Sequence, residues 1–236
     1  MTPGDCIDTI EKYTKRHLEL RRAHHFLFDL PLGNPTLSTD ILVMGLNPGE
    51  HARCGYPDCP HFTQETSQFD FHTEYGGGVR DVDWNRHVQY YCGTLQVVQS
   101  EFFFWSSRRI GKPFEERFGQ SLWKCREHLE FCKTMNLHLI RHRQPKLIIA
   151  PGLGAGDRLA TMYGLRKTRG PLLAANNHRL VEYYKDSEDR SWLFTKHWSG
   201  ARGLSSDQRA KIKAAIQDER DVKVATPPPA PISSAS

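Results

Sequence analysis

Two polar side chains sit where glycine-bearing turns follow short apolar runs. The first is Asn47, in Gly45-Leu46-Asn47-Pro48-Gly49, directly after Ile41-Leu42-Val43-Met44. The second is His197, in His197-Trp198-Ser199-Gly200, directly after the segment Ser191 to Lys196. Glycine and proline force a sharp turn and let backbone approach a ligand closely. An amide such as Asn47 carries both donor and acceptor, so it can hold a water or read a polar edge. An imidazole can donate to an anion. Glu50 adds a carboxylate beside the first turn and is a candidate base. Each feature alone has an ordinary reading: Asn-Pro-Gly is common turn chemistry, Glu50 suits a helix start, and a single histidine is more often structural.

The elements that must position these residues follow from hydrophobic pattern and turn signals. Residues 5–28 read as a helix ended by Pro31, Gly33 and Pro35. Strands are expected at 41–44, 102–105, 147–150, 179–184 and 191–196. Helices are expected at 83–99, 118–141, 157–163 and 205–217. Residues 50–75 are irregular, followed by Gly76-Gly77-Gly78. Strands alternating with helices, and strands apolar throughout, predict an α/β fold: three layers, α/β/α, around a short central parallel sheet. Residues 1–220 are expected to form one domain and residues 221–236, rich in Pro, Ser and Ala, a disordered tail. In such sheets ligands sit at the carboxyl ends of the strands. Those ends are expected at 45–50, at 106–109 beginning with Ser106, at Pro151-Gly152-Leu153-Gly154-Ala155-Gly156, and at 197–204.

Composition excludes several classes. The 236 residues are 38% hydrophobic and 25% charged, an ordinary globular mix. No apolar run is long enough for a membrane-spanning helix, and the N-terminal residues lack the pattern of a secretory signal. A cytoplasmic, monomeric protein without a membrane partner is expected. The net charge is +5. Residues 141–213 hold 15 Lys/Arg against 6 Asp/Glu, which suits either a polyanion-binding face or a solvated surface. Cys54, Cys59 and His61, with His51 or His72 nearby, would suit zinc, although the spacing is not that of a standard finger. No cofactor is expected, and zinc there is the minor alternative.

The pair of turn motifs, in this order after the first and last strands, resembles the uracil-DNA glycosylase superfamily. The Asn-Pro-Gly form is similar to its mismatch-specific and single-strand-selective branches, and the resemblance covers roughly residues 40–215. It implies a DNA glycosylase that flips a deaminated or modified base out of DNA and hydrolyses its N-glycosidic bond, leaving an abasic site. By the resemblance, Asn47 orients the attacking water and His197 stabilises negative charge on the departing base. Gly45, Leu46, Pro48 and Gly49 shape the base site. Tyr56 or Phe62 is placed to stack on the base. Ser199, Gly200 and the amides of Gly152 to Gly156, including Gly154, are placed against phosphates. Arg202 or Leu204 is placed to fill the gap left by the flipped base.

The chain also departs from that pattern. The superfamily carries an Asn at the end of the second strand to read the uracil edge. Here the expected strand end is Phe104-Trp105-Ser106-Ser107, with no amide. Trp198 stands where a proline is usual. The stretch between the first two motifs is also long and unusual. Together these departures put plain uracil in doubt, and the small Ser106 leaves room for a larger or modified base where Asn would fill it, in base excision repair or in defence against phage DNA carrying modified bases. The alternative is a non-catalytic DNA-binding or sensing module of the same fold. An enzyme acting on free nucleotides is a further alternative, and Gly152-x-Gly154-x-Gly156 lacks the spacing of a dinucleotide-binding turn.

Overall fold

The computed structural model describes residues 39–46, 82–93, 96–104, 119–198 and 203–224, together with Asp5, Asp8, Thr9, Lys12, Tyr13, Arg16, Lys112 and Glu115. Its centre is a six-stranded sheet. The strands are β1 (Ile41–Gly45), β2 (Val97–Glu101), β3 (Leu147–Pro151), β4 (Arg166–Leu173), β5 (Arg179–Lys185) and β6 (Ser191–Thr195), in spatial order β2-β1-β3-β6-β5-β4. β2, β1, β3 and β6 are parallel, while β5 and β4 add antiparallel strands at one side. The helices are α1 (Val82–Cys92), α2 (Arg126–Arg143), α3 (Gly156–Tyr163) and α4 (Ser206–Val224). The mixed α/β class is as the pattern predicts.

The strands β1 and β3 are buried at every position because both faces of the sheet are covered. Alternate side chains divide between two cores. Leu42, Met44, Ile148, Trp192 and Phe194 pack with Cys132, Met135, Leu139 and Ile140 of α2 and Leu159 of α3. Ile41, Val43, Ile149 and Leu193 pack on the opposite face with Val88 and Tyr91 of α1 and Ile212 and Ile216 of α4. Tyr13 of the N-terminal segment stacks on Phe131 of α2 with ring centroids 3.8 Å apart, and its hydroxyl meets the His128 ring.

Three expectations are corrected. The second strand is Val97–Glu101, and the helix before it stops at Cys92 instead of reaching residue 99. Phe102, Phe103 and Phe104 are buried, but they fill the α2 core beyond the strand instead of forming it. The strand β4, with the sequence RKTRGPLL, was not anticipated because its outward residues are exposed and basic. It is an edge strand of the kind that lysine, arginine and proline protect from further pairing. Finally, α4 continues to Val224, into the segment expected to be a tail.

Part of the positive charge of residues 141–213 is paired within the protein. Lys167 and Arg179 both meet the buried Glu182, at 3.5 and 2.6 Å; Arg169 meets Glu219 at 2.7 Å, and Lys185 meets Asp189 at 2.6 Å. The hairpin joining β5 to β6 is organised by Asp186. Its Oδ1 accepts from the backbone N–H groups of Glu188 and Arg190, and its Oδ2 accepts from Arg190 and from the Trp192 indole at 3.0 Å. Asp186→Ala removes all four partners. It is expected to destabilise the fold by about 2–4 kcal/mol, measured by urea denaturation, because the Trp192 indole and two backbone N–H groups lose their acceptor and Arg190 keeps only Glu188.

Candidate functional site

Parallel pairing sets where the strands end. Gly45 is in register with Glu101, and Pro151 with Thr195. The carboxyl ends of all four parallel strands therefore share one edge. The pairing outlasts the strands: the Phe102 N–H donates to the Gly45 carbonyl at 2.8 Å and the Phe103 N–H to the Leu46 carbonyl at 3.1 Å. The chains leaving β1 and β2 thus depart from the edge side by side. Leu46, half-buried on the α2 core, is the last described residue before Asn47.

The residue at the end of β2 is a carboxylate. Glu101 is 7% exposed. Its side chain folds over the Cα of Gly45: a Cβ built there would meet the Glu101 Cδ at 2.7 Å and Oε1 at 2.8 Å. Only glycine leaves room for this approach. Below the edge, Asn136 of α2 fixes the strand end, its Nδ2 donating at 3.1 Å to the carbonyls of both Glu101 and Phe102.

The α1 face of this edge carries aromatic and cationic groups. Gln99 lies two residues before Glu101, on the same face of β2. Its Oε1 accepts from the Trp84 indole at 3.0 Å and its Nε2 donates to Asn85 at 3.3 Å. The half-buried Trp84 ring lies 6.1 Å from the ring of His197, which is exposed two residues beyond β6. Trp198, next in the chain, is 2% exposed and stacks between Trp84 at 5.5 Å and Tyr91 at 4.6 Å. A proline would leave that slot empty, so the Trp198 departure has a packing cause. Burial pushes the Tyr91 hydroxyl up to about 12 and the nearby Cys92 thiol to about 12, so neither ionises near neutral pH. Gly45, Glu101, Trp84 and His197 thus share the α1 side of the carboxyl edge.

The amides after β3, expected to meet phosphates, are largely engaged by the protein itself. The Gly152 N–H donates to the Thr195 carbonyl at 2.7 Å, with Gly152 at φ +143°, a conformation side chains rarely adopt. The Ala155 N–H donates to the Gly152 carbonyl and the Gly156 N–H to the Leu153 carbonyl. Three of these amides are thus committed, one to β6 and two within the turn, and Gly154 is exposed beside it. A Cβ at Gly156 would lie 3.5 Å from Glu182 Oε2, and Asp157 follows in the first turn of α3. The start of α3 lies beside Glu182, itself paired with Lys167 and Arg179, and carries Asp157 in its first turn. Tyr184 bridges them, donating weakly toward Glu182 at 3.4 Å and Asp157 at 3.5 Å. Burial, then those two charges, push its hydroxyl up to about 12.

Leu204, expected as a possible wedge, lies in the core. It is buried, packed in the core with Trp198 and Ile212, and would have to leave that core to enter DNA. Asn47, Pro48, Gly49, Glu50, Tyr56, Phe62, Ser106, Ser199, Gly200 and Arg202 lie outside the described residues, as do Cys54, Cys59 and His61. Among the described residues no group of three or more His, Cys, Asp or Glu is placed to hold a metal, and no helix is long and apolar enough to cross a membrane. Two residues of the edge escape a sequence reading. Glu101 is hidden because the apolar run Phe102 to Trp105 draws the strand boundary past it, and Trp84 because a tryptophan at a helix start reads as core. The Val97-Val98 pair was the available sign of the true strand.

Family models give no match to this chain, and a search of curated proteins gives none either.

Truncating Trp198 tests its anchoring role. Trp198→Ala is expected to lower stability by about 3–5 kcal/mol, read as a fall in the urea midpoint. Trp198→Phe, which keeps a ring against Tyr91, is expected to recover most of that loss.

Proposed function

We propose that this protein is a DNA glycosylase of the uracil-DNA glycosylase type, acting at the carboxyl edge of its parallel sheet. The observation that carries the reading is the exit of both motif segments from that edge. Gly45-Leu46 leaves β1 and His197-Trp198 leaves β6, with β3 alone between them. Adjacent strands lie about 4.8 Å apart, so the two exits are separated by about 10 Å, a gap on the scale of a nucleobase and its contacts. Covered helices on both faces of a short parallel sheet also suit the fold that the resemblance implies.

In this reading the target nucleotide is extruded from DNA, because its glycosidic bond is out of reach within the stack. The bond between C1′ and the base nitrogen breaks with its electron pair passing to the base. His197, exposed at the edge, donates to the negative charge that develops there. Asn47 positions the water that adds to the oxocarbenium-like C1′. An amide is a poor base, so bond breaking runs ahead of water attack. The water loses a proton as it adds, the base is protonated and released, and an abasic site remains. Among the described residues Trp84, beside His197, is an aromatic surface placed to stack on the extruded base. DNA is the partner, and the biological setting is repair of a damaged base or removal of a modified one from foreign DNA.

The test is abasic-site formation on oligonucleotides carrying candidate bases. Wild-type protein is expected to generate abasic sites, with Asn47→Ala and His197→Ala each slower by about 100-fold or more, the scale of losing one group that orients or stabilises the transition state. Equal inactivity of all three proteins on every base would leave DNA binding without chemistry, and release of base from mononucleotides alone would point to a nucleotide enzyme.

A further inference from the structure

We propose that Glu101 determines which base is excised, by accepting hydrogen bonds from an exocyclic amino group. The preferred substrate is then a modified base that keeps its amine, of cytosine, adenine or guanine type, in place of the deaminated bases uracil and hypoxanthine. This inference rests on the glycosylase reading above and narrows it to a substrate class.

The position comes first. Glu101 ends β2 at the carboxyl edge, on the face that carries Gln99, Trp84 and His197. It occupies the strand end at which the resemblance places a base-reading Asn. Its carboxylate lies in the recess at Gly45, and the backbone at this strand end is fixed by the Asn136 bonds to the Glu101 and Phe102 carbonyls. At 7% exposure, a group that meets it does so with little competing water.

The chemistry decides the direction. An ionised carboxylate only accepts hydrogen bonds, and its four lone-pair sites leave room for a ligand beside any protein partner. An Asn or Gln amide both donates and accepts, which fits the N3–H and O4 of uracil. A carboxylate can accept from N3–H of uracil or N1–H of hypoxanthine, but it offers nothing to the adjacent O4 or O6, where lone pairs would face lone pairs. The N4 amine of cytosine, the N6 amine of adenine and the N2 amine of guanine each donate to it. A buried polar site left mispaired rejects a ligand strongly, so selectivity of about 100-fold or more is expected.

The experiment is single-turnover release of free base, read by mass spectrometry, from matched single-stranded and duplex oligonucleotides. These carry uracil, hypoxanthine, 5-hydroxymethylcytosine, 2,6-diaminopurine or 7-deazaguanine. Wild-type protein is expected to release at least one amine-bearing base 100-fold faster than uracil or hypoxanthine. Glu101→Gln, nearly the same shape, is expected to slow that release at least tenfold and raise uracil release at least tenfold. Glu101→Asp keeps the acceptors and should keep the order of preference; melting curves on each variant show that it is folded. Uracil or hypoxanthine release by wild type at a rate matching the amine-bearing bases overturns the proposal, as does an unchanged preference in folded Glu101→Gln. Absence of release from all five oligonucleotides instead removes the glycosylase reading beneath it.

Discussion

Parallel pairing of β1 between β2 and β3, and of β3 with β6, is the constraint on which the rest depends. Parallel strands all finish on the same side, so four chain exits meet at one edge. Two of these exits carry the motifs with polar chemistry. The helices serve that arrangement from both faces, α2 and α3 on one and α1 and α4 on the other. The hydrogen bonds from Phe102 and Phe103 back to Gly45 and Leu46 extend the order past the strands, to the start of the chemically interesting turn.

Within that frame, a single glycine and a single carboxylate are packed as one unit. Gly45 opens the motif turn and also makes space for Glu101. The same residue therefore ends β1 and allows the close approach of a buried acid. Its neighbours are consistent with a working edge: an exposed imidazole, a half-buried indole tied to Gln99, and Trp198 anchoring the chain after β6. The opposite end of the edge differs. There the turn after β3 engages most of its own amides, and Glu182 and Asp157 sit at the start of α3.

Much of the frame was legible because burial on both faces writes continuous apolar runs. Ile41 to Met44 and Leu147 to Ala150 are strands for that reason, and both lie in the sheet centre. The misreadings have equally physical causes. β2 is half polar because Gln99 and Glu101 face the edge, so the more apolar Phe102 to Phe104 looked like the strand while serving the α2 core. β4 is polar because it is an exposed edge. Leu204 looked available because its loop is rich in small residues, whereas its side chain is in the core. The motif residues Gly45 and His197 were legible from turn chemistry and order along the chain. Glu101 required the true end of β2, which pattern alone misplaced.

The central claim is that the side chains of Asn47 and His197 address one extruded base. The direct measurement is a crystal structure of the protein with abasic-site DNA, in which the separation of the Asn47 amide from the His197 ring can be read. A separation of about 10 Å or less, corresponding to two strand spacings, with the abasic sugar between them, is the predicted result. Side chains on opposite faces of the sheet, or DNA seated away from the β1 and β6 exits, would contradict the account.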